Sequence, residues 1–254
     1  RIGHAKVVAW NDIKDDPPPE LKISPIAMIP HKSRKYRAIL DLSFQLRLKD
    51  GSNLTSVNDG TTLSAPAGAI DQLGHSLSRI IHAFAETDPD EKIFMAKFDV
   101  KDGFWRMMCE EGQEWNFAYV LPQEDGKEPL LVVPLCLQMG WVESPPYFCA
   151  ASETARDVAA QYVERPVGTL PQHKFEGYTM GSSVVQDLPE QSDDKSFRYF
   201  LDVYVDDFIS LAVATSREQL RHLGRATMHG AHDVFPAASD DEDDPVSLKK
   251  LKKK

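Results

Sequence analysis

Two aspartates, Asp206 and Asp207, stand side by side between the strand-like runs "FLDVYV" and "FISLAVA". Adjacent carboxylates repel, and keeping them near a core is costly unless positive charge lies between them. Strand-like flanks on both sides predict that the pair sits at the tip of a hairpin with a buried stem. A turn serving solubility alone would use Asn-Gly or Asp-Gly. The competing reading is a solvated turn, because Asp is a common turn former. A third acid, Asp99, closes another short apolar run, "KIFMAKFD". If the two strands are neighbours, Asp99 and Asp206 meet at one edge of a sheet. Carboxylates gathered there cannot all ionise without cations among them. Mg²⁺ suits such a site, since it takes oxygen ligands and leaves positions for phosphates. Two such ions about 3.5–4 Å apart can serve the attacking and leaving oxygens of an in-line phosphoryl transfer.

The elements that must hold these acids follow from periodicity. "SPIAMIPHKSRKYRAILDLSF" reads as strand, polar tip and strand, and residues 50–68 read as loop. Ile70, Leu73, Leu77, Ile80, Ile81 and Phe84 recur at helical spacing and predict an amphipathic helix. "WNFAYVL" and "LLVVPLCL" read as strands. Ser144 as N-cap and Pro145 at the first turn then open a helix through Tyr162. Residues 164–195 carry Pro, Gly, Ser and acids without a period and read as a loop insertion. Ser216 caps a last helix, and the 236–254 tail reads as disordered. Helices interleaved with hairpins predict an α+β fold with a mostly antiparallel sheet.

The 254 residues, 42% hydrophobic and 27% charged, are enough for a substantial core. No apolar run approaches the roughly 18 residues of a membrane span, no signal peptide is present, and the chain reads as a piece of something longer. Three cysteines without CxxC spacing point to a reducing, intracellular setting and to neither disulfides nor zinc. A net charge of −10 argues at first against a nucleic-acid partner. That charge is unevenly spread, however: 22–49 holds seven Lys or Arg against one Asp, while 240–244 is "DDEDD". A local basic surface is what binding needs. Arg217, Arg221 and Arg225 form a helical stripe that reads as an ordinary solvated face.

In order along the chain, "YRAILDLSF", "KFDVKDGFW", "QMGWVESPPYF" and "YVDD" resemble a fingers segment and three core motifs of reverse transcriptases. The resemblance runs from about Lys22 to Phe235 and is closer to retrotransposon polyproteins of the LTR class than to retroviruses. It implies a polymerase palm with fingers. An N-terminal extension would occupy 1–20, a fingers-like segment and helix 21–92, and the palm 93–235.

The resemblance also implies roles. Asp99, Asp206 and Asp207 would be the catalytic metal ligands, for two Mg²⁺ ions or Mn²⁺ in their place, with Val100 adding a backbone carbonyl. Asp102 would be structural. Lys32, Lys35 and Arg37 would close on the triphosphate, and Phe104 would lie beneath the incoming sugar and disfavour a 2′-hydroxyl. Gly140 would permit close approach of the nucleotide. Met139, Trp141 and Tyr204 would face template or primer. The partners implied are deoxynucleoside triphosphates, a primed RNA or DNA template, and thumb, connection and RNase H regions downstream, in a cytoplasmic particle or the nucleus. Two other readings remain open: an inactive remnant that binds nucleic acid, and another palm-type nucleotidyltransferase.

Overall fold

The computed structural model describes residues 3–31, 34–66, 68–122, 125–178, 183–194, 197–237, 244–247 and 251, with backbone alone at 31, 34, 35, 37, 183 and 184. The strands are β1 (Ala5–Ala9), β2 (Ile26–His31), β3 (Arg34–Leu40), β4 (Leu46–Arg47) and β5 (Asn53–Leu54). They continue with β6 (Ile93–Asp99), β7 (Tyr119–Val120), β8 (Leu130–Pro134), β9 (Arg198–Tyr204) and β10 (Asp207–Val213). The helices are α1 (Trp10–Ile13), α2 (Asp71–Ala85), α3 (Ser144–Val163), α4 (Ser183–Gln186) and α5 (Arg217–Val234). Among the described residues, helices mix with antiparallel pairs of these strands, as the α+β expectation requires. Among the described residues no helix is long and apolar enough to cross a membrane. All three cysteines are free.

The chain divides into two units, 1–65 with 103–145 and 66–102 with 146–254. In the first, β8 lies between β1 and β7, and β2 pairs with β3 as a hairpin. β1 therefore places Ala5–Ala9 of the 1–20 stretch in a sheet. The predicted strand "WNFAYVL" is instead a 3₁₀ turn over Gln113–Phe117, leaving Tyr119–Val120 as strand. Residues two apart in a strand share a face. Here Trp115 packs with Leu131 and Val133, whereas Phe117 packs with Leu40, Leu42 and Val57, so the chain must turn between them.

In the second unit the order is β6-β10-β9, with the hairpin strand β10 in the centre. α5 begins in a reciprocal capping box: Gln219 N donates to Ser216 Oγ, and the Gln219 side chain reaches back to the Ser216 amide. Its Leu223 and Ala226 share a core with Val163, Leu170, Ala212 and Ala214. Leu170 belongs to the predicted insertion. The described part of that segment is no loose loop; its Phe175, His173 and Glu176 are buried as well.

At Gly230 a Cβ would lie 2.7 Å from both the Cβ and the amide nitrogen of Ala159 and 2.8 Å from the Ala155 carbonyl oxygen, so α3 and α5 touch almost backbone to backbone. Gly230→Ala should therefore destabilise the chain although it improves helix propensity by about 1 kcal/mol. Overpacking of this kind costs about 1–3 kcal/mol. A lowered urea midpoint is the expected result, and an unchanged or raised midpoint would contradict the close approach.

α2 forms where predicted but presents an unexpected side to the sheet. Ser76 Oγ donates to the Val203 carbonyl at 3.0 Å, and Arg79 grips Asp202 of β9 through two bonds of 2.7 and 2.8 Å. Ile70, Leu77, Ile81 and Phe84 stay exposed. The reason is electrostatic. Asp202 is fully buried and needs a cation, and the Arg79 fork decides which face of the helix docks.

Candidate metal centre

Strand register brings the three acids together. Asp207 opposes Asp99 across β10 and β6, and it closes the β9–β10 hairpin opposite Tyr204. Val205 and Asp206 are the two turn residues. Val205 sits at φ +56°, a left-handed conformation rarely adopted by a β-branched residue and costing about 1–3 kcal/mol. The strained turn sets Asp206 at the tip. The amide of Val100 donates to the Asp206 carbonyl at 2.7 Å, tying the end of β6 to the turn. Carboxylate oxygens of Asp99, Asp206 and Asp207 then lie within 4.8 Å of one another, the group among the described residues able to hold a metal ion.

Three ionised carboxylates at this separation repel by on the order of 3 kcal/mol per pair at a protein-like dielectric. Among the described residues, Lys97 answers them directly. Lys97 Nζ lies 2.6 Å from Asp207 Oδ2. Lys97 precedes Asp99 by two positions on β6, hence on the same face. Three negative charges and one positive leave a formal charge of −2 across these four groups, which favours a cation beside them. The other Asp207 oxygen, Oδ1, is buried without a hydrogen-bond partner. An all-oxygen donor set with an unsatisfied buried carboxylate oxygen fits a hard cation such as Mg²⁺.

The Asp206 carboxyl is held above its ordinary range, mainly by burial and then by the neighbouring Asp207 charge, with its own amide and Lys97 acting the other way. An acid whose folded value is raised is protonated more readily in the folded chain. Its contribution is therefore greatest at low pH and is lost as pH rises from the ordinary value of 3.8 through the raised one. Metal-free protein should lose thermal stability across that window. Added Mg²⁺ should raise the melting temperature more at neutral pH than at pH 4. An Mg²⁺ effect equal at both pH values would argue against a carboxylate-bound ion.

The remaining predicted residues distribute between the two units. Tyr204 ends β9 in the second unit and is half exposed, which is not the position of a plain core tyrosine. Asp102 adopts φ +62°, with Lys101 Nζ 3.9 Å away, as suits a structural turn residue.

Lys35 and Arg37 lie in β3 of the first unit, and Lys32 lies outside the described residues. Phe104 sits half-buried in a 3₁₀ turn over Gly103–Arg106 of the first unit. Gly140 takes φ +100°, available to glycine at little cost, and the Leu40 carbonyl would lie 3.4 Å from any Cβ there. Met139 beside it is half exposed. Trp141 donates from Nε1 to Thr61 Oγ1 at 2.9 Å and packs edge-on to Phe117. Ser144 is the first residue of α3, but its hydroxyl donates to the Gln138 carbonyl and so is not a helix cap.

Sequence reasoning missed two sets of residues. Lys97 could have been found, because strand period two places it on the Asp99 face. The loop at 56–65 carried no signal, yet it cradles the Gly140 turn. Asn58 donates to the Gly140 carbonyl at 2.9 Å and accepts from the Val142 amide at 3.0 Å. The amides of Ser64 and Ala65 both donate to Glu143 Oε2, at 2.6 and 2.7 Å. The arginine stripe of α5, read as a solvated face, is paired instead with acids of the 164–195 segment: Arg217 and Arg221 with Glu190, and Arg225 with Glu176.

Fold and site together define an α+β domain with a carboxylate triad at the edge of an antiparallel sheet, able to hold a metal. No protein-family model matches the chain, and no curated protein matches it. Among solved structures it is distantly similar to a foamy viral protease-reverse transcriptase in complex with double-stranded DNA, at 17% sequence identity and a TM-score of 0.42. That likeness covers 90% of this chain and 26% of the other, so the chain spans about a quarter of that protein's length.

Proposed function

We propose that the chain is the palm and fingers part of an RNA-directed DNA polymerase from a retrotransposon polyprotein. It would add deoxynucleotides to a primer 3′-hydroxyl on an RNA or DNA template. The observation that carries this reading is the convergence of Asp99, Asp206 and Asp207, remote along the chain, on one point at a sheet edge. Bound Mg²⁺ would supply charge stabilisation at the attacking and leaving oxygens of the transferred phosphoryl group. Asp99 and Asp206 would hold it, Asp207 would offer its Oδ1, and the Val100 carbonyl would add a backbone oxygen. Lys97 keeps Asp207 Oδ2 engaged, so that one oxygen of that carboxylate faces the cluster.

Arg37, with Lys35 and Lys32, would neutralise the triphosphate, the guanidinium gripping two oxygens at once. Phe104 would exclude a 2′-hydroxyl. Gly140, Met139 and Trp141 would face template and nucleotide, and Tyr204 the primer end. Thumb, connection and RNase H regions of the same polyprotein would hold the primed template.

The test is primer extension with Mg²⁺ by the chain joined to its downstream region, beside an Asp206→Asn control and with deoxy- and ribonucleotides compared. Incorporation of deoxynucleotides by the native sequence alone is expected. Equal incorporation by both proteins would remove the catalytic assignment, and none by either would favour an inactive nucleic-acid-binding remnant. Indifference to the sugar would favour another palm-type nucleotidyltransferase.

A further inference from the structure

The tail, expected to lack order, contributes a short segment that is among the most buried parts of the second unit. Asp244 is 2% exposed and Val246 1% exposed. Val246 forms an antiparallel bridge with Val100. The Lys101 amide donates to the Pro245 carbonyl at 2.8 Å, and the Ser247 amide donates to the Asp99 carbonyl at 3.0 Å. These bonds take the groups on either side of Val100. The Val100 amide points the other way, to the Asp206 carbonyl, and in extended backbone its own carbonyl shares that side. Residues 99–101 are thus gripped between the hairpin turn and a segment more than 140 positions later in the chain.

What anchors that segment is the side chain of Asp244. Its Oδ2 lies 2.8 Å from Lys174 Nζ and its Oδ1 lies 3.2 Å from His232 Nε2, while the Val246 amide donates to Oδ1 at 2.8 Å. Lys174 comes from the 164–195 segment. That segment is itself fastened to α5: Arg225 donates to both Glu176 oxygens, at 2.6 and 2.9 Å, and to the Leu170 carbonyl at 3.1 Å.

His173 packs its ring against those of His229 and His232. Its Nδ1 accepts the Phe175 amide at 3.1 Å, so the neutral ring carries its proton on Nε2, 3.3 Å from His232 Nε2. Burial, and then the neighbouring His232, push His173 down to about 4, and burial likewise lowers His232. Near neutral pH the lasting counter-charge for Asp244 among the described residues is therefore the ammonium of Lys174.

We infer that the 164–195 segment and Asp244–Ser247 form a latch, in which Lys174 holds Asp244 and the captured segment fixes the backbone of Asp99 and Val100. Asp244 and Lys174 are positioning residues acting through that backbone. The latch stands on metal-free geometry. Its consequence for ion binding rests on the proposed function.

The experiment is amide hydrogen exchange on the metal-free 254-residue chain, native and Lys174→Met, with Mn²⁺ binding followed by electron paramagnetic resonance. Lys174 is 41% exposed, so the substitution removes the charge without emptying a core position. Exchange at Lys101 and Ser247 should quicken on the order of tenfold or more while the β10 amide of Leu211 keeps its protection. Adding Asp244→Asn, which removes the unpaired buried charge, should restore part of the lost protection. Mn²⁺ binding should weaken severalfold in Lys174→Met.

Unchanged exchange at Lys101 and Ser247 overturns the latch, as does a loss shared equally with Leu211. Local loosening with unaltered Mn²⁺ affinity overturns its coupling to the metal centre. If the native chain binds no Mn²⁺ yet Lys174→Met shows the local loosening, the latch stands and the proposed function falls.

Discussion

Asp206→Asn should make the metal-free protein more stable at neutral pH while removing its response to Mg²⁺ and, under the proposed function, its primer extension. The amide keeps the size and turn-forming habit of the aspartate but takes one charge from a cluster whose oxygens lie within 4.8 Å of each other. Burial already disfavours the ionised form of Asp206, so its replacement relieves a cost in the folded chain. Chains of this size gain roughly 2–4 °C in melting temperature per kcal/mol, so a rise of a few degrees is expected. The substitution changes the formal charge of Asp99, Asp207, Lys97 and position 206 from −2 to −1, which weakens the attraction for a divalent ion. An ion's contribution of several kcal/mol to the transition state, at one decade per 1.36 kcal/mol, makes the loss in primer extension about a thousandfold. Stability and activity moving in opposite directions mark a functional site that carries strain. If the variant melted lower than the native chain and kept its Mg²⁺ response, these acids would be structural.

The carboxylate cluster is legible in the sequence because each of its parts is local. Asp206 and Asp207 are flanked by strand-like runs and Asp99 ends one, so only the pairing of two strands has to be supplied, and the observed register supplies it at Asp99 opposite Asp207. Lys97 is legible for the same reason, through the two-residue period of β6.

Other features depend on pairings across long stretches of chain, where sequence pattern is silent. The helical period of α2 locates the helix but misassigns its docked face, because one buried carboxylate at Asp202 outweighs a stripe of Ile and Leu. The composition of 164–195 reads as solvated loop, yet Glu176 and Glu190 are there to meet three arginines of α5. "DDEDD" reads as a disordered acidic run, and its last member is the buried anchor of a strand pairing. In each case charge composition is a poor guide, because a charged residue with a distant partner looks the same in sequence as one in water.

That asymmetry at Asp202 yields the largest stability effect expected in the molecule. Asp202 is completely buried, while the Arg79 side chain that binds it retains about a quarter of its exposure, 27%. Removing Arg79 leaves a carboxylate with no access to water, its remaining contacts being the Val203 amide at 2.8 Å and Arg156 Nη1 at 4.0 Å. Removing Asp202 instead leaves a guanidinium that can turn into solvent. Arg79→Ala should therefore cost about 3 kcal/mol, the range for an uncompensated buried charge, and Asp202→Ala measurably less. A double variant should recover part of the Arg79→Ala loss, a coupling readable in a double-mutant cycle by urea unfolding. The effect should also reach the metal centre, since Asp202 lies two residues before the end of β9 and four before Asp206. With Ser76 bound to the Val203 carbonyl, α2 steadies the strand that enters the strained turn at Val205. Equal losses for the two single variants, or a larger loss for Asp202→Ala, would mean that packing on β9 rather than the buried charge holds α2 in place.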